Sequence, residues 1–198
     1  MRQATCCQCG LTANVRMAAL FVPGPIVALL TFPGVILHEA AHLFFCKLFG
    51  LQVYDVRLLR LGNPAGYVIH GKTDNFAALF FVSIGPFVFN TALCVLFCTS
   101  AWFSLQGPKA SRPLAYFFYW LGLSIGMHAI PSTADLSNLW AMTPAKARQG
   151  NVLAILSLPL VAMLYVVNLG RVVWADLAYG IAVGILGPIA LVRLLAHA

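Results

Sequence analysis

The chain has 198 residues, the size of one domain, but only 9% of them are charged and 61% are hydrophobic. A soluble domain carries about 25% charged residues, so too little polar surface exists to coat a globule, and soluble and disordered classes are excluded. The formal net charge of +7 comes from basic residues scattered among apolar blocks, which points to lipid headgroups and against a nucleic-acid partner.

Residues 1–16 form a polar tail without the apolar core of a cleavable signal peptide. Its Cys6-Cys7-Gln8-Cys9 holds a single C-x-x-C. A structural zinc site needs four ligands, so a second pair would have to come from a partner, and the tail is expected to be unstructured. Residues 17–198 read as a single membrane-embedded domain, with stretches free of Asp, Glu, Lys and Arg over 17–38, 75–108, 113–134, 149–170 and 177–192. Since about 20 apolar residues cross a bilayer core, this is the pattern of an all-α polytopic membrane protein with five to six transmembrane helices.

In chain order the spans fall near 23–49, 76–102, 113–131, 151–169 and 173–195. Pro23, Gly24, Pro25, Pro33 and Gly34 interrupt the first, leaving one kinked helix or a re-entrant segment followed by a helix. Between the first two spans, Val53, Tyr54, Val56 and Leu58, then Tyr67, Val68 and Ile69 around Asn63-Pro64-Ala65-Gly66, predict a short β-hairpin. With five crossings, seven of the twelve Lys and Arg lie on the hairpin side, a weak bias that favours placing it in the cytoplasm.

The first span carries His38-Glu39-Ala40-Ala41-His42, an H-E-x-x-H pattern that contains the only glutamate of the chain. Positions i and i+4 share a helix face, so both imidazoles can hold one Zn²⁺. Glu39 beside them can then take a proton from a water that the ion activates. Two imidazoles and a carboxylate cost several kcal/mol in a bilayer interior unless paired or metal-bound, which makes them a functional-site hypothesis. A hydrogen-bonded cluster without metal is the structural alternative.

Catalytic zinc takes three protein ligands. A second glutamate does not exist, and the residues after His42 lack the Gly and third His of the extended motif. Cys46 lies about 12 Å along the helix from His38, too far to share an ion, and is expected to be packing material like Cys94 and Cys98. Asp135, after Pro131 at the end of the third span, is the favoured third ligand, with His128 as the alternative. Asp135 also suits a helix cap behind Ser132 or Thr133. Asp55, His70 and Asp74 are expected to be solvated on the hairpin side, with His70 able to approach the site, and His197 to be a tail residue.

With this motif in a membrane span and an Asp two spans later, the chain resembles the site-2 protease family of intramembrane zinc metalloproteases. Leu51 to Val68, with Gly62 and the Gly66-Tyr67-Val68 step, resembles its membrane-associated β-region. Gly85-Pro86-Phe87-Val88-Phe89-Asn90 resembles its Gly-Pro-x-x-Asn segment. The likeness covers about residues 24–145, the catalytic core, and leaves out the spans at 151–195. It departs where the family has Asn-x-x-Pro leading to Asp-Gly, since Asp135 is followed by Leu136.

The resemblance implies one Zn²⁺ and a membrane-protein substrate with a transmembrane helix, cleaved in or near that segment. It also implies substrate contacts from Asn90 and from Gly66 and Tyr67 of the hairpin, where an extended stretch could add as a strand. For Asn90 an interhelical hydrogen bond is an equal alternative. A zinc-dependent hydrolase of a lipid or small amphiphile, or a non-catalytic binding relative, are the rival functions. An intact Glu39 argues against the last.

Overall fold

The computed structural model describes residues 4–6, 24–62, 64–169 and 174–196. Cys7, Cys9, Asn63 and His197 lie outside the described residues. The chain is mostly helical, as the apolar blocks predict: α1 Gly24–Leu30, α2 Phe32–Leu48, α3 Phe76–Gln106, α4 Arg112–Met127, α5 Thr133–Arg148, α6 Val152–Leu169 and α7 Ala175–Ala196. The hairpin forms β2 Val53–Arg57 and β3 Tyr67–Gly71, and a strand β1, Ala4–Cys6, adds to it.

The tail is therefore not wholly unstructured. β1 pairs antiparallel with β3, Thr5 opposite His70 and Cys6 opposite Ile69, giving the sheet order β1-β3-β2. An exposed strand edge is a row of unpaired backbone donors and acceptors, and the N-terminal residues satisfy part of it.

The interrupted first span is two helices joined at Thr31. Pro33 has no N–H to give, so the break leaves carbonyls needing partners. α4 supplies them: Trp120 Nε1 donates to Leu30 O at 3.0 Å and Ser124 Oγ to Thr31 O at 2.9 Å. Gly34 N donates back to Ser124 Oγ at 3.2 Å, and the Thr31 hydroxyl lies 2.8 Å from His128 Nε2. Trp120, Ser124 and His128 recur every fourth residue and so form one stripe along α4.

Two helices among the described residues, α3 and α7, are long and apolar enough to cross a membrane. Val152–Asn168 is a shorter apolar helix. α2 and α4, of 17 and 16 residues, fall at or below the length a lone crossing needs.

Two buried clusters fix the arrangement. Phe76, Leu79 and Ile84 of α3 pack with Leu136 and Leu139 of α5 and Ala154, Val161 and Leu164 of α6. Cys46 of α2, Val68 of β3 and Val82 of α3 form the second. This one docks the sheet on the metal-motif helix, and Cys46 serves in it as the small apolar residue expected. Gly85 permits the close approach of α3 to α2, because a Cβ there would overlap the Phe45 ring.

Candidate metal centre

His38, Glu39 and His42 sit in the middle of α2, and helical spacing brings the two imidazoles together, with Nε2 of His38 and Nε2 of His42 3.1 Å apart. The rings meet edge to face, centroids 4.8 Å apart. Asp135 arrives from the first turn of α5, its Oδ2 3.5 Å from His42 Nε2. One ligand atom from each of the three residues lies within 4.8 Å of the others, so the group could hold a metal ion. All three are buried, as is Glu39, which is only 3% exposed.

Asp135 combines the cap and the approach to His42 in one oxygen, Oδ2. Ser132 caps α5, its hydroxyl accepting from Asp135 N, while Asp135 Oδ2 accepts from Ser132 N at 3.0 Å and from Ser132 Oγ at 2.6 Å. This capping box fixes the carboxylate. Asp135 Oδ1 is buried and has no hydrogen-bond partner among the described residues, and the same holds for Glu39 Oε2. Buried polar atoms left unmatched in this way cost about 1–3 kcal/mol each. Carboxylate oxygens of this kind beside paired imidazoles are groups that a cation or a substrate could match.

The hairpin closes over this point. A Cβ on Gly66 would stand 2.7 Å from Glu39 Cγ and 3.0 Å from Leu58 O, so the backbone passes against the glutamate where only glycine fits. The expected site residue Gly66 is thus at the centre, while Tyr67 is tied within the hairpin, donating from its hydroxyl to Asp55 Oδ2 at 2.7 Å. That bond holds the Asp55 carboxyl below its ordinary range and raises the Tyr67 phenol. Asp55 and Asp74 are exposed, as expected.

His70 corrects the expectation of a solvated residue: it is buried, since β3 turns Val68 and His70 to the same inward face. His128, the alternative ligand, is not in the group of three and places its ring at Thr31 instead. Asn90 is fully buried and donates from Nδ2 to His128 O at 3.2 Å, the interhelical bond. The stripe of Trp120, Ser124 and His128 that mends α2 was not anticipated. A polar residue at every fourth position of an otherwise apolar span was its available signal.

No protein-family model matches the chain, and it matches neither a curated protein nor a solved structure.

Proposed function

We propose that the chain is an intramembrane zinc metallopeptidase of site-2 protease type, hydrolysing peptide bonds in or near transmembrane segments of membrane proteins. The observation that supports it most is the convergence of His38, His42 and Asp135 within 4.8 Å, next to a buried Glu39. Donors around a tetrahedral ion with bonds of about 2.0–2.2 Å stand roughly 3.3 Å apart. Two of the separations, 3.1 and 3.5 Å, are close to this value, and the third pair lies within 4.8 Å. Two imidazoles and a carboxylate, with a neighbouring glutamate that is not a ligand, form the donor set of a catalytic site.

When bound, zinc would polarise the scissile carbonyl and lower the pKa of water at its open position. Glu39 receives the proton at its carboxylate and delivers it to the leaving amine, a general-base and general-acid role worth about 10² to 10⁴ in rate. Gly66 lets the hairpin backbone lie against Glu39. The stretch of β3 beside it, Tyr67 and Val68, pairs with β2 on one side and lies beyond the three residues that β1 covers. An extended substrate segment would add there. The α1–α2 pair, α3, α4, α6 and α7 make five crossings, with the hairpin on the cytoplasmic side.

Purified protein is expected to hold one Zn²⁺ by elemental analysis, with His38→Ala and His42→Ala losing it. Glu39→Gln should retain the metal and lose cleavage of a model transmembrane substrate. Parental cleavage by Glu39→Gln removes the mechanism. Turnover of a lipid ester in place of the peptide transfers the same site to a membrane lipid hydrolase.

A further inference from the structure

Resting on the reading of His38, His42 and Asp135 as ligands, we infer that Asn168 is a positioning residue of the metal centre. It lies in α6, outside the catalytic core, and acts through the turn that carries Asp135. α6 is apolar almost throughout, yet it buries this amide to 8% exposure. An amide sunk among apolar side chains costs about 1–3 kcal/mol unless it is hydrogen-bonded. Both halves of the Asn168 amide are bonded, and both to the same turn: Nδ2 donates to Pro131 O at 2.9 Å, and Oδ1 accepts from Thr133 Oγ1 at 2.8 Å.

The two contacts bracket Ser132, the residue whose backbone N–H and hydroxyl hold Asp135 Oδ2. The chain of bonds therefore runs from Asn168 through Pro131 and Thr133 to Ser132, and from Ser132 to the carboxylate. The turn needs this support. α4 ends at Met127, its last bonds closing at His128 and Ala129, and Pro131 has no N–H with which to extend any ladder. On the far side of the turn Asn90 holds His128 O. The apolar contacts of α6 with Leu136 and Leu139 seat α5 broadly, but packing is not directional. Only hydrogen bonds at the turn fix the register in which Asp135 faces His42. The sixth helix is in this way part of the metal centre rather than an appended span.

The test is Co²⁺ titration of the full-length protein in detergent, read by the visible absorption band, followed by Zn²⁺ competition. Asn168→Leu keeps the apolar volume and is expected to weaken metal binding by about 10- to 100-fold, the effect of removing an outer-shell partner, and to alter the shape of the Co²⁺ band. Thr133→Val, at an exposed position, loses one of the two bonds and should weaken binding by about a few-fold. Ser157→Ala removes a buried hydroxyl of the same helix that bonds only within it, to Ala154 O at 3.2 Å, and should leave affinity and spectrum at parental values.

Parental affinity and an unchanged band in Thr133→Val and Asn168→Leu overturn the inference, as does a fall in thermal stability alone. Should Asn168→Leu fail to fold, Thr133→Val decides by itself. A parent protein whose Co²⁺ binding does not depend on His38 defeats the metal reading as well. Binding that is lost in His38→Ala but parental in the Asn168 and Thr133 variants defeats only the role of Asn168.

Discussion

The neighbouring helices α2 and α3 solve the problem of an apolar surrounding in opposite ways. α3 has 31 residues without one Asp, Glu, Lys or Arg, and it starts at an Asn75 cap whose side chain accepts from Ala77 N and Ala78 N. Apart from the bond that Pro86 removes, its backbone is satisfied from within, which is what a lone membrane crossing requires. α2 has 17 residues, begins at a break, and buries His38, Glu39 and His42. It depends on α4 for its broken end, on α5 for a carboxylate and on β3 for a cover. The helix that carries chemistry is the one unable to stand alone, because every polar group it sinks needs a partner from another element.

Breaking the polar side of this contrast should give the largest effect. His42→Ala is expected to abolish metal binding and reduce cleavage to background, as measured by metal content and substrate turnover. On α3, Asn90→Leu should weaken metal binding far less than His42→Ala, since its amide reaches His128 O, at the end of the turn away from Asp135, and not the group of three.

Two of the close-approach glycines sharpen it next. Gly66→Ala sets a methyl group against Glu39 and the Leu58 carbonyl and should cut turnover by roughly 10- to 100-fold with the metal retained, as expected for a displacement of about 1 Å at the reacting groups. Gly85→Ala meets the Phe45 ring instead. It should cost about 1–3 kcal/mol of stability through overpacking, read by thermal unfolding.

Smaller still is the mended break. Trp120→Phe strands Leu30 O and should destabilise by about 1 kcal/mol, while Thr99→Val on α3 removes a hydroxyl that bonds only its own helix, to Val95 O, and should change the melting temperature little. A comparable loss in both variants would remove the distinction between borrowed and internal satisfaction.

The smallest expected effect is on the sheet that covers α2. Burial holds the His70 imidazole below its ordinary 6.5, so the unfolded chain takes up the proton first as pH falls. The stability His70 contributes is complete above about pH 6.5 and is lost progressively below it. The protection factors of β3 amides against hydrogen exchange should fall as pH drops from about 6.5 to about 5. His70→Gln should flatten that dependence.

Much of this site was legible along the chain. The i, i+4 histidines with Glu39 are local, and a helix brings them together wherever it lies. Asp135 could be inferred from ligand arithmetic, because a single glutamate excludes a glutamate ligand. The hairpin was visible in its alternation and turn residues, and its strands form at Val53–Arg57 and Tyr67–Gly71. The third strand was not visible, since Ala4–Cys6 shows no strand pattern and pairs only because β3 offers an edge. The burial of His70 escaped for a related reason: which face of a short strand turns inward is settled by what it packs on, here Cys46 and Val82 through Val68. The number of crossings is a further case. Charge gaps suggested five to six, whereas two helices among the described residues qualify by their own length and apolarity.

By itself the sequence determined a mostly helical, charge-poor chain with an H-E-x-x-H pair and one distant carboxylate to complete it. These follow from composition and from spacings within a single helix. Only the tertiary structure decided that Asp135 both caps α5 and faces His42, that Gly66 lies on Glu39, that α4 mends the break in α2, and that Asn168 grips the turn before Asp135. Each of those joins residues from different elements, and such joins depend on how helices pack and on which buried polar group finds a partner, neither of which is written in local spacing.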